Sequence, residues 1–509
     1  MDREVQTFSV MQRWLIVAAV MSATLMQVID TTIVNVALPH MQGSLGTSPD
    51  SITWTLTSYL VSSAIFMPLT GYFTDIFGRR NFLILSIAGF TIVSILCGAS
   101  NSLSEIVICR MLQGVFGASL VPLSQAIVTD VFPPEERGKA MAIWGVGVMV
   151  GPVLGPTLGG YLTEYFSWRW TFYVNVPVGI FALLLTPVVP DTAKIKRPMD
   201  WLGLLLISTA IGGTQYVLDR GNQADWFNST QICVITFLAI AGLLGFLLHN
   251  LHRKENIVFD LRMFKDKNFT ISSLLLAILG LGLYGTMVIQ PLMMENLFNY
   301  PVIISGLVMA PRGLSGMISM ILMSRLINHI DPRYLIAFGI CLSAVGMLVG
   351  THYSINISPY WLIWPLFLQG FGMGMIFVPL ATVAFSTLPV HFRSEAAGLF
   401  SLLRTIGSSM GISVAITVLT RHSQMLWNQF GGFINPYNRA LYPYLQTLHL
   451  QPSQPKAIGF LGKLIGEQSQ MSAFVNVYAF IMWSFILMLP LIFMLKKQEG
   501  VAQGMHVIE

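Results

Sequence analysis

The chain has 509 residues, of which 54% are hydrophobic and only 10% charged, with a mean hydropathy of +0.68. That balance excludes an ordinary soluble multidomain protein and points to an all-α polytopic membrane protein whose core is a helix bundle in lipid. The net charge of +5 is small and follows membrane topology, so it does not argue for nucleic-acid binding.

Apolar stretches of 17 residues or more recur along nearly the whole length, each long enough to cross a hydrocarbon core of about 30 Å. Fourteen spans are predicted, at 14–38, 53–73, 82–99, 104–127, 140–162, 170–190, 201–218, 230–250, 269–289, 303–323, 334–351, 360–385, 396–420 and 474–495. Counted from a cytoplasmic N-terminus, most of the 28 Lys and Arg fall in inside loops, among them Arg79, Arg80, Lys194, Lys196, Arg197, Arg253, Lys254, Lys496 and Lys497. That asymmetry places both termini in the cytoplasm. The first run lacks a small-x-small cleavage site, so a cleaved signal peptide is not expected. Cys97, Cys109, Cys233 and Cys341 lie in or beside spans without CxxC spacing and read as packing residues. The nine histidines sit in loops or at span ends, so neither a metal nor a cofactor is expected.

In span one, Asp30 is the one acid in the middle of an apolar run, and an unpaired ionised carboxylate at that depth costs several kcal/mol. Gln27, Asp30, Thr31 and Asn35 recur at helical spacing and share a face that cannot point at lipid. In the turn after span two, Gly71-Tyr-Phe-Thr-Asp75-Ile-Phe-Gly78-Arg79-Arg80 combines glycines for close approach with charges that can latch neighbouring helix ends. On span four, Arg110, Gln113, Gly114 and Gly117 share a face. At 1.5 Å per residue, Asp30 and Arg110 both lie roughly 10 to 13 Å below the outer surface and can meet. Two readings follow: a switchable pair in which protonation of Asp30 frees Arg110, or a fixed ion pair that satisfies two buried charges.

Span five carries Gly147, Gly151-Pro152, Gly155-Pro156 and Gly159-Gly160, small residues every four positions. The ladder reads as a packing face or as a helix bent by its prolines. Arg312 in span ten and Arg404 in span thirteen are the other intramembrane cations, and both are expected to line a central cavity with Gln27, Asn35, Gln113 and Gln369. With one central acid and three arginines at depth, neutral or anionic lipophiles suit that interior better than dications. A polar outer loop is expected over about 421–473, too long to be a plain connector.

Leu112-Gln113-Gly114 recurs as Leu368-Gln369-Gly370 at an offset of 256 residues, and Gly71, Asp75, Gly78 and Arg80 align with Ser324, Asn328, Asp331 and Arg333 at 253. A duplicated six-span unit with two spans inserted between the copies accounts for both offsets. The predicted domains are 1–199, a six-helix bundle; 200–268, two inserted helices followed by an inner-surface segment; and 269–509, a second six-helix bundle.

The 71–80 turn resembles the loop signature of the major facilitator superfamily. The span-five ladder resembles the glycine-proline motif of its antiporters. Together with Trp168-Arg169-Trp170-Thr-Phe172-Tyr-Val-Asn175, Asn256-Ile-Val-Phe-Asp260-Leu and Ala310-Pro311-Arg312-Gly313, they make the chain similar to the fourteen-span drug:proton antiporters of the EmrB/QacA type, and most similar to the EmrB branch. The resemblance implies a major facilitator fold and proton-coupled efflux of lipophilic compounds across the bacterial inner membrane. Asp30 and Arg110 match its coupling residues, and Gly151, Pro152, Gly155, Pro156 and Gly159 its antiporter helix. It also implies a periplasmic adaptor on the 421–473 segment, leading to an outer-membrane channel. A dedicated exporter of one metabolite, such as a siderophore, a fatty acid or an antibiotic, is the rival within transporters. A membrane-embedded enzyme would need a nucleophile-base or metal constellation, and a sensor an output domain; the sequence offers neither.

Overall fold

The structure, a computed structural model, describes residues 9–496 except 134–135, 196–197, 253–257, 259, 328, 390–391, 436, 448 and 452–453. The expectations placed on Lys196, Arg197, Arg253, Lys254, Asn256 and Lys497 lie outside the described residues, as do those on the side chains of Pro152 and Pro156. Among the described residues fourteen long helices follow one another: α1 (Val10–Leu45), α2 (Trp54–Phe77), α3 (Arg79–Ala99), α4 (Leu103–Val131), α5 (Arg137–Tyr165), α6 (Trp170–Val188), α7 (Trp201–Arg220), α8 (Thr230–His252), α9 (Lys267–Asn296), α10 (Val302–Leu326), α11 (Pro332–Gly350), α12 (Pro359–Ser386), α13 (Arg393–Gly431) and α14 (Pro455–Ile492). Thirteen have the length and hydropathy to cross a bilayer; in α5 the described apolar stretch is Gly138–Gly151, within a helix of 29 residues.

Local signals set the ends. Ser9 and Gln12 form a capping box at the start of α1, and Gly46, at φ +61°, stops it. The helix runs past Pro39, where span one was expected to end, because a proline removes one backbone N–H and does not by itself stop a helix that packing supports. The expected outer loop of 421–473 is largely helical. α13 has 39 residues and α14 has 38, each about 57 Å long, well beyond the hydrocarbon thickness. Hydropathy marks where lipid ends, not where the helix does. The true connection spans 432–454 and holds a short helix, Leu441–Thr447, packed through Leu445 on Ala457 and Leu461.

Small residues hold the helices close, and they do so twice. On α5, a Cβ at Gly151 would lie 2.3 Å from Val28 and one at Gly155 1.9 Å from Thr32, both on α1. On α13, Gly407 and Gly411 stand against Ala277 and Leu281 of α9 in the same way. Gly114 of α4 meets Tyr59 and Ser62 of α2, and Gly370 of α12 meets Arg312 and Ser315 of α10. The same contacts in the same order are what a duplicated bundle requires.

The inserted α7 does more than space the two halves. Asp219 accepts a hydrogen bond from Thr57 on α2, while Gln215 donates to Ser409 on α13 at 2.6 Å, so one helix touches both halves. Its partner α8 is pinned to it by His249, 3.0 Å from Asp200. Asp219 lies one residue beyond the predicted end of span seven, which is why it escaped notice as a second acid in a span.

Candidate functional site

Asp30 and Arg110 meet at the centre of the first six helices, with Arg110 Nη1 2.6 Å from Asp30 Oδ2. Both side chains are at most 1% exposed. Three helices supply donors to the carboxylate or hold it in place: α1 carries it, α4 donates through Arg110 and through Gln113 Nε2 at 3.0 Å, and α6 donates through Asn175 Nδ2 at 2.9 Å. Arg110 is held in turn by α2, since its Nε donates to the Thr55 carbonyl at 3.1 Å and its guanidinium lies 4.2 Å from the centre of the Tyr59 ring. Ser94 of α3 accepts from Gln113 and Asn175 and donates to the Phe172 carbonyl. A single carboxylate thus ties α1 to α4 and α6 directly, and to α2 and α3 through its partners. Asn175 and Ser94 were not singled out from the sequence as site residues, although Asn175 belongs to the Trp168–Asn175 run that carries the resemblance. Ser94 has no signal of its own that sets it apart from Ser86 and Thr91 in the same helix.

The ladder of α5 explains how α1 is held. Gly151, Gly155 and Gly159 lie against Val28, Thr32 and Ile33, on both sides of Asp30 in sequence, and Thr32 donates to the Gly151 carbonyl at 3.1 Å. A side chain at any of the three would push α1 off and move the carboxylate.

The expected cavity residues divide. Arg312 lines a cavity of about 50 Å³ with Met149, Met287, Met309 and Met373, and Arg404 a neighbouring one with Val148, Leu279 and Phe377. The other four do not line these cavities. Asn35 is exposed near the far end of α1, where its amide bonds back to the Thr31 carbonyl. Gln27 is buried, but its oxygen accepts from Val121 N at 3.1 Å, where α4 is interrupted after Gly117, so it repairs a helix break. Gln113 is spent on Asp30. Gln369 faces Met347 between α11 and α12. Periodicity placed these side chains on polar faces correctly, but could not say which neighbour each face meets.

At the end of the bundle that carries the 71–80 turn, the halves are locked together. Asp130, at the end of α4, receives Arg79 at 2.7 Å on one oxygen and Arg393, the first residue of α13, at 2.8 Å on the other. Gly71 lets α2 touch α13, since a Cβ there would lie 2.4 Å from Glu395. Gly78 takes φ +82°, which only glycine adopts readily, and Asp191 and Thr192 after α6 accept from the backbone N–H groups of Arg80 and Arg79 that it exposes. Asp75 contributes through its carbonyl, which accepts from Ile195 N at 2.7 Å. Arg79 therefore pairs with Asp130, which also holds Arg393, and its own loop predicts neither partner.

Replacing Asp130 by Asn removes the negative charge that joins the two arginines. Because the three side chains are 10 to 16% exposed, the loss is expected to shift the balance between closed and open forms of this end by about 1–2 kcal/mol, roughly tenfold. Labelling of a cysteine at Val148, in a cysteine-free background, reads that shift as faster modification from this side; an unchanged rate counts against the clamp.

This arrangement of long helices in a twofold repeat has counterparts of known kind. Residues 20–412 match the family model described as Major Facilitator Superfamily. The chain is 32% identical to the multidrug export protein EmrB of Escherichia coli strain K12 over 489 residues, covering 95% of each. It is 33% identical to the fatty acid resistance protein FarB of Neisseria gonorrhoeae, covering 95% of this chain and 96% of the relative. Among solved structures, the human organic anion transporter MFSD10 superposes with a TM-score of 0.59 at 14% identity, covering 93% of this chain and 99% of the other, and so supports the fold. The family model and these relatives show that the chain belongs to the major facilitator superfamily, among relatives of the EmrB type.

Proposed function

We propose that the chain is a proton-coupled exporter of lipophilic compounds that works by alternating access, with Asp30 as the proton carrier and Arg110 as its counter-charge. The observation that carries this reading is the buried Asp30–Arg110 pair at the point where helices of the first half converge. Ionised, the carboxylate accepts three N–H bonds and draws α4 and α6 to α1. Protonated, it loses its charge-assisted hold on Arg110, and the pull relaxes. The basic loops support a cytoplasmic orientation of the clamped end and of both termini, in a bacterial inner membrane, and on that reading the clamped form is closed toward the cytoplasm. Proton uptake from outside, release of substrate and opening of the Asp130 clamp then form one cycle.

Inside-out vesicles with an imposed proton gradient, offered lipophilic anions, neutrals and cations, test the reading: accumulation should follow the gradient and vanish with an uncoupler. Accumulation indifferent to the gradient removes it. Similarity to a relative named for fatty acid resistance favours a second reading, a carrier dedicated to one class of metabolite, which the same panel would show as a single accepted class.

The outer end of α13 and α14 supports an adaptor partner. Phe430, Phe433, Ile434, Leu441, Tyr444 and Leu461 line a groove of about 550 Å³ beside Tyr437, which is 92% exposed. A photo-crosslinker at Tyr437 should capture a periplasmic adaptor that leads to an outer-membrane channel; capture of none in cells that export normally rejects that partner.

A further inference from the structure

The second half of the molecule keeps the packing of the first but not its charge balance. Gly114 and Gly370 face Tyr59 and Arg312 respectively, so Arg312 stands where the first half has Tyr59. Four residues before each glycine lie Arg110 in the first half and Leu366 in the second. Gly151 and Gly155 bracket Asp30 through Val28 and Thr32; Gly407 and Gly411 bracket Leu279 through Ala277 and Leu281. Leu279 and Leu366 are buried apolar side chains, so at these two places the second half holds neither the acid nor the cation of the first half's pair.

Arg312 is nonetheless 6% exposed. One end of its guanidinium is engaged, Nη2 donating to Thr286 Oγ1 at 2.7 Å and to the Leu283 carbonyl at 3.2 Å. Among the described residues its Nε and Nη1 have no hydrogen-bond partner, and no carboxylate forms an ion pair with it or with Arg404. A buried cation with two idle donors is costly unless something negative reaches it. Both arginines border cavities that share Met149, Leu283 and Met373. The space beside Arg312, about 50 Å³, suits a group the size of a carboxylate, and the thioethers around it are flexible and polarisable enough to repack around an apolar body.

We propose that Arg312, assisted by Arg404, receives the carboxylate of a lipophilic organic anion whose apolar body lies on Met149, Met287, Met309 and Met373. The inference rests on the reading of the chain as an exporter of lipophilic compounds and names the chemical class it takes. It also assigns the two halves different tasks: the first carries the proton, and the second holds the anion.

Three probes of one shape test this on the purified protein in nanodiscs: 2-naphthoate, 2-naphthalenemethanol and 2-naphthylmethylammonium. Titration calorimetry should show naphthoate binding about tenfold or more tighter than the alcohol and the ammonium. Arg312→Gln should weaken naphthoate about tenfold and the alcohol less than about threefold, and Arg404→Gln should weaken naphthoate by a smaller factor. Arg312→Lys should keep the preference for the anion. Equal affinities for the three probes in the unmodified protein, or equal losses of anion and alcohol in Arg312→Gln, overturn the proposal. Should that variant fail to fold, the three-probe comparison and Arg404→Gln decide it in the same terms. No gradient enters the measurement, and the preference should persist in Asp30→Asn. Lost coupling with intact anion preference refutes the transport reading alone; coupled transport without that preference refutes this one alone.

Discussion

Asp30→Asn is expected to leave a folded protein that no longer couples transport to protons, whereas Arg110→Met with Asp30 intact is expected to lose most of its folded yield. The asymmetry follows from what each change leaves behind. Asparagine keeps the size and oxygen of the side chain, so Gln113 or Asn175 can still donate to it, and Arg110 retains the Thr55 carbonyl, Gln113 and the Tyr59 face. Replacing the arginine by methionine strands a carboxylate with no cation beside it, and breaking a buried pair from one side costs about 3–5 kcal/mol. Combining Asp30→Asn with Arg110→Met leaves no charge at either position, and the double variant should recover much of the folded yield without recovering proton-driven transport. Thermal unfolding in detergent, together with gradient-driven uptake, separates the two properties. A pair that served only as a structural tie would behave otherwise: Asp30→Asn would then transport with unchanged dependence on the gradient.

Gly370→Ala should be among the most damaging small substitutions in the second half. The added Cβ would lie 1.8 Å from the Arg312 carbonyl oxygen and 2.3 Å from Ser315 Oγ, a clash with backbone that no rotamer relieves. α12 must move off α10, at a cost of about 1–3 kcal/mol or more, and Arg312 is carried with it. Substrate recognition should suffer along with thermal stability. Gly459→Ala, on α14 with nothing within 4 Å of the new atom, is the control, and should match or slightly exceed the unmodified protein because alanine favours helix. Equal stability in the two variants would mean that the α10–α12 contact is looser than described.

Much of this was legible because membranes impose simple rules. Hydropathy anticipated the fourteen long helices, thirteen of which have the length and apolarity of a span among the described residues, and the position of Asp30 and Arg110 in their spans brought them to one depth before any helix was placed. The repeat was visible in two short motifs, yet its strongest expression, the matched glycine contacts of α5 on α1 and α13 on α9, needed coordinates, since spacing does not name the helix a small face meets. The same limit explains Asn35 and Gln27, polar residues on the right helix whose partners are a neighbouring carbonyl and a helix break. Asp130 and Arg393 were hidden for a different reason. An ion pair between residues 263 positions apart leaves no local pattern, and charges near loop ends are read by default as solvated. The extended ends of α13 and α14 were missed because polar helix looks like loop to a scale that measures only apolarity.

The central claim is that substrate and proton compete through Asp30, and proton release on substrate binding tests it most directly. A substrate from the vesicle panel is added to purified protein in weakly buffered detergent solution, near the pH at which transport is half-maximal, with a pH indicator present. The unmodified protein should release a fraction of a proton per bound substrate, falling toward zero at higher pH, and Asp30→Asn should bind the same substrate and release none. Equal release from both proteins, or binding by the unmodified protein with no release at any pH, would contradict the account.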